Sequence, residues 1–78
     1  MSLLSLLIEE DDKEKKIIDL DREIEYATSM SQAQEGREIA ELYKNDILIY
    51  TEKKRKLNFE LNETRKKISE YLDNLPSA

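Results

Sequence analysis

The apolar positions of this chain recur in threes and fours, which is the period of a helix. In the second half, Ala40, Ile47, Lys54, Leu61, Ile68 and Leu75 are spaced by seven. Tyr43, Tyr50, Leu57, Thr64 and Tyr71 follow three residues behind them. Nine of these eleven positions are Ala, aliphatic or Tyr, the signature of a coiled-coil seam rather than of an isolated stripe. Ile39, Leu42, Ile49 and Leu72 widen the apolar face beyond a strict two-stranded seam. The first half follows the same rule through Leu3, Leu6, Glu10, Lys13, Ile17, Leu20, Ile24 and Ala27. Its seam is interrupted at Glu10 and Lys13, with an apolar cluster on either side.

The pattern lapses between Thr28 and Gly36. Ser29 with Gln32, and Ser31 with Gln34, each have the spacing of a capping box, and Gly36 suits a left-handed helix end. Pro76 fits a stop signal after Leu75. The expectation is therefore an all-α fold: a single antiparallel two-helix hairpin spanning residues 1–78, with unequal arms. The helices are expected at 3–28 and 37–75, with a turn over about 29–36. One uninterrupted helix in a parallel dimer is the alternative.

Charge suggests a register. If the chain pivots between Gln32 and Ala33, residues whose numbers sum to 65 face each other. Glu9-Glu10-Asp11-Asp12 then lies opposite Lys53-Lys54-Arg55-Lys56, and Glu10 and Lys54 become the charges that set the register. The first arm would end opposite residue 64, leaving Arg65 to Leu75 as an overhang.

Composition narrows the chemistry. The 78 residues include one Gly and one Pro, and no Cys, His or Trp. That excludes a disulfide framework, a Cys/His zinc site, a thiol nucleophile and a glycine-rich phosphate loop. The net charge of −5 is uneven: residues 1–36 carry −6 and residues 37–78 carry +1. An acidic chain is a poor general binder of nucleic acid. Glu9 to Asp12 point in four directions on a helix, so the acidic run reads as a solvated face rather than a cation site. No catalytic residue, cofactor site or metal site is expected.

The run Leu3-Leu4-Ser5-Leu6-Leu7-Ile8 has no basic region before it and leads directly into four acids. It reads as neither a signal sequence nor a membrane anchor, so a cytoplasmic location is expected.

Two helices side by side cannot bury so wide an apolar face, and a chain of this size usually needs oligomerisation or some other staple. The expected interface is formed by Leu3, Leu4, Leu7 and Ile8 at one terminus and by Ile68, Tyr71, Leu72 and Leu75 at the other. The bundle would be completed by self-association or by a protein partner.

The resulting functional expectation is a non-catalytic helical interaction module, acting as a small adaptor, co-chaperone or inhibitor. A nucleic-acid-binding bundle dimer is the alternative. In outline the chain resembles the small plasmid-encoded RNA-binding hairpins, and in Lys53–Lys56 and Arg65–Lys67 it has basic clusters that such a role would use. In size, acidity and unequal arms it also resembles the co-chaperones of type III secretion needle subunits. A third resemblance lies in Ile17-x-x-Leu20-Asp21-x-x-Ile24, which is similar to the opening helix of the small all-helical chorismate mutases. That family binds its dicarboxylate substrate with Arg and Lys side chains, and Glu14 stands where its first-helix Arg would be expected.

Overall fold

A computed structural model describes residues 2–75. Two helices, α1 (Leu3–Ala33) and α2 (Glu38–Asp73), pack along their lengths into an antiparallel hairpin. The rod measures 64 × 15 × 14 Å. Neither helix is long and apolar enough to cross a membrane. Pro76, the expected stop signal, lies outside the described residues.

The heptad columns become the seam. Leu6, Ala27, Ala40 and Leu61 are its buried apolar side chains, and Ser31 and Thr64 are buried beside them. The other expected seam positions from Leu3 to Ile24 and from Tyr43 to Ile68 are half-buried. Tyr71 and Leu75, which continue the α2 columns, are exposed.

The ends of the helices have separate local causes. Ser2 caps α1, its hydroxyl accepting from the Ser5 N–H at 3.1 Å. At the other end of α1, the Gln34 N–H bonds the Met30 carbonyl at 3.0 Å. The chain then reverses through Gly36, whose φ of 86° lies in the left-handed region open to glycine. Arg37 opens α2, and Glu38 and Glu41 place negative charge in its first turn, where the helix dipole favours it.

Two expectations require correction. The first helix does not stop at 28, and neither proposed capping box forms. The Thr28 hydroxyl donates to the Ile24 carbonyl at 2.7 Å, and the Ser31 hydroxyl donates to the Thr28 carbonyl at 2.9 Å. Their polar groups are satisfied within the helix, so α1 runs on and Ser31 takes the next seam position after Ile24. The turn shrinks to residues 34–37, and the arms are less unequal than expected, at 31 and 36 residues.

The register also differs. Lys13 meets Thr64, and the polar contacts between the helices join residues whose numbers add to about 77 rather than 65, while Tyr26 and Tyr43 meet nearer the turn. Glu10 pairs with Arg65, and Lys54 pairs with Asp21. Arg65 lies eleven residues beyond Lys54 on α2, roughly 16 Å along the axis at ~1.5 Å per residue, so Glu10 and Lys54 do not meet. The expected overhang beginning at Arg65 instead runs alongside α1, although only Ile68 within it is half-buried. Matching charges by sign alone misplaces the helices, because the later and tighter turn slides α2 along α1.

Candidate interaction surface

The register brings the two terminal clusters to the same end of the rod. Arg65 donates from Nε to Glu10 at 3.1 Å and from Nη2 to Glu14 at 2.6 Å. Leu7 lies one heptad before Glu14 on α1, and Leu72 one heptad after Arg65 on α2. Leu7 and Leu72 therefore continue the columns of a cross-helix ion pair on one flank of the hairpin. Leu4, Leu7, Ile8, Tyr71, Leu72 and Leu75 are exposed at this end of the rod, Leu4 at 67% and Leu72 at 50%. Leu3 and Ile68 are half-buried in the seam beneath them. Six of the eight expected interface residues thus form an open apolar end, and two belong to the core that supports it.

The polar layer next to this end is specific. Thr64, only 3% exposed, accepts from Lys13 Nζ at 2.9 Å and donates to the Glu60 carbonyl at 3.1 Å. Lys13 also lies 3.7 Å from Glu9. Two of the polar seam positions, Lys13 on α1 and Thr64 on α2, therefore answer one another. The two hydrogen bonds that Arg65 donates to carboxylates, Glu14 first and then Glu10, raise its guanidinium above its ordinary pKa, and the cation stays charged.

The opposite flank carries a surface groove of about 420 Å³. Leu20 and Leu57 form its floor. Lys16, Asp19 and Glu23 stand on the α1 rim, and Lys53, Lys56 and Glu60 on the α2 rim. Among the described residues none of these six rim charges forms an ion pair. The rim columns continue toward the turn and become mostly apolar, with Asp46, one heptad before Lys53, the exception. Glu23 is followed by Met30, Asp19 by Tyr26, Lys56 is preceded by Ile49 and Leu42, and Lys53 is preceded two heptads earlier by Ile39. Leu42 is 65% exposed and Ile49 50%. Tyr26 meets Tyr43 edge to face at 6.3 Å between centroids. Burial, followed by the neighbouring Tyr26, raises the Tyr43 phenol above its ordinary pKa.

Sequence reading finds Ile39, Leu42 and Ile49 only as a widening of the seam. Their spacing by whole heptads from Lys53 and Lys56 holds the signal for a grooved flank, and the correct register is needed to see which α1 residues stand across from them.

The basic clusters are divided by the helix. Lys54 turns to Asp21, Arg55 donates to Glu52 at 2.7 and 3.0 Å, and Lys53 sits 5.9 Å from the ring centre of Tyr50. Arg55 holds the Glu52 carboxyl below its ordinary pKa through these bonds. Exposed Phe59 shares a shallow hollow with Arg55, Lys56 and Glu60, so an aromatic lies beside the first basic cluster. The acidic run is divided too: Glu9 approaches Lys13, Glu10 meets Arg65, and Asp11 meets Lys15 at 2.8 Å. Among the described residues no group of three or more Asp, Glu, His or Cys is placed to hold a metal ion.

Comparison with known protein families, curated proteins and solved structures finds no match to this chain.

Proposed function

We propose that the protein is a non-catalytic helical interaction module, an adaptor, co-chaperone or inhibitor that acts by docking an amphipathic helix of a protein partner on its open apolar end. The observation that carries this reading is the imbalance of the apolar side chains. Leu6, Ala27, Ala40 and Leu61 are buried, whereas Leu4, Leu7, Ile8 and Leu72 stand exposed together at one end. Scattered apolar residues are ordinary on a protein surface, but a contiguous cluster is the usual mark of a contact site. A helix-in-groove contact would bury such residues at the spacing they have here. The ion pairs of Arg65 with Glu10 and Glu14 hold the two sides of the cluster level, which favours a pre-organised surface.

Substituting Leu7→Asp together with Leu72→Asp tests the assignment. Both side chains are exposed, so most of the helicity should survive in circular dichroism while partner capture by the immobilised protein is lost. Capture of the same partner at undiminished strength by the double variant would place the docking surface elsewhere.

Exposed Phe59 beside Arg55 and Lys56 favours a second reading, a nucleic-acid-binding bundle, because an aromatic next to cations can stack on a base. A salt titration against RNA and DNA separates the two. Steep loss of affinity with salt supports the second reading, and no binding at low salt removes it.

A further inference from the structure

We infer that the grooved flank, opposite the open apolar end, is the seat of a second copy of this chain, related by a two-fold axis parallel to the rod. Lys16 stands level with Glu60, and Glu23 with Lys53, because the numbers of facing residues add to about 77. A two-fold along the rod leaves the level of every residue unchanged and exchanges the helices, so α1 of one copy lies against α2 of the other. Glu23 then meets Lys53 of the second copy, Lys16 meets Glu60, and Asp19 comes near Lys56. These contacts among the six rim charges join opposite charges, whereas Asp12 and Glu63, one heptad further toward the open end, come level with each other as like charges.

The same operation stacks apolar on apolar. The Leu20–Leu57 floor lies over its own image, and toward the turn Tyr26, Ile39, Leu42 and Ile49 are covered by apolar residues of the second copy, with Asp46, one heptad before Lys53, the charged exception level with Met30. All neighbouring helices in the resulting four-helix bundle are antiparallel, so their dipoles oppose.

A two-fold perpendicular to the rod is less favourable. Centred on the groove, it would lay the apolar turn half over Asp12 and Glu63, which extend the Asp19 and Lys56 columns toward the open end. Charged side chains would be buried against aliphatic ones without partners. Size is adequate as well. The broad side of a 64 × 15 Å rod offers on the order of 900 Å² in projection, against roughly 800 Å² contributed by each partner to a standard interface. This pairing leaves Leu7 and Leu72 uncovered and is independent of the role proposed for the open end.

Two measurements on the full chain test the inference. Leu42→Glu with Ile49→Glu places charge on two exposed positions of the flank. It should weaken self-association by roughly a hundredfold or more, because each lost aliphatic burial occurs twice in a symmetric dimer. Helicity should be retained at concentrations where the variant is monomeric. A dimer of unaltered strength in this variant overturns the inference, as does a wild-type chain that is monomeric throughout. Symmetry is read separately. The chain has no cysteine, so Glu35→Cys in the turn provides a single site for a spin label. The two-fold parallel to the rod puts both turns at the same end and gives a short label-to-label distance. Labels held tens of ångströms apart would show the perpendicular arrangement and overturn the proposed pairing.

Discussion

The two flanks of this hairpin carry the same kinds of charge and use them differently. On one flank the charges reach across: Arg65 to Glu10 and Glu14, Lys54 to Asp21. On the other, Lys16, Glu23, Lys53 and Glu60 stand level with opposite charges, yet the rims remain apart over a leucine floor. The first flank is closed by the hairpin itself and fixes which residues face each other. The second has complementary charges that the monomer leaves unused, together with apolar surface that it leaves wet. Complementarity that is satisfied within a chain specifies its register. Complementarity left open beside an apolar floor specifies a neighbour.

The largest effect should come from the seam beneath both flanks. Leu61 is 5% exposed, and Leu61→Ala should cost about 2–5 kcal/mol by loss of burial and cavity formation. For a chain of this size that is a large share of the total stability. Urea denaturation at several protein concentrations should show the loss at each of them, since the seam belongs to the monomer. A midpoint unchanged by this substitution would mean that the two helices do not depend on this packing.

A smaller change separates polar specification from stability. Thr64→Val removes the acceptor of Lys13 in a layer that is largely dry, and should cost about 1–2 kcal/mol for the polar group left without its partner. Replacing both, Lys13→Met with Thr64→Val, should recover most of that loss or exceed the wild type, because an apolar layer carries no desolvation penalty. The double variant should be less strict about register, which spin labels on the two helices would reveal as a broadened distance distribution. If the double variant is less stable than Thr64→Val alone, the layer does more than align the helices.

The smallest effects bear on the flanks themselves. Arg65→Ala should lower the thermal midpoint slightly at low salt and hardly at all at high salt, independently of protein concentration. Lys53→Ala should leave a dilute hairpin unaffected and weaken only the association seen at higher concentration. Equal, concentration-independent effects of the two substitutions would erase the distinction between a closed flank and an open one.

Much of the fold is legible in the amino-acid pattern. The heptad columns name the seam residues from Leu3 to Ala27 and from Ala40 to Ile68, because a seven-residue apolar repeat leaves few other ways to bury them. The turn is harder to place. Thr28, Ser29 and Ser31 have the side chains of a helix start, and sequence does not reveal that Thr28 and Ser31 bond back to carbonyls of their own helix. The error in register follows from this. With α1 ending at Ala33, Lys54 arrives at Asp21 and leaves Glu10 to Arg65. The open apolar end survives the shift, since moving the turn brings the two terminal clusters closer together. The grooved flank cannot be read in the same way. Its columns lie on two helices, and their match in level exists only once the register is known.

Sedimentation equilibrium over a range of protein concentrations, on the wild type alongside the Leu42→Glu/Ile49→Glu and Leu7→Asp/Leu72→Asp variants, tests the account most directly. It predicts twice the 9.2 kDa chain mass for the wild type and for the open-end variant, and the single-chain mass for the groove variant. A wild type that remains at 9.2 kDa at every concentration, or a groove variant that still sediments as a dimer, would contradict it.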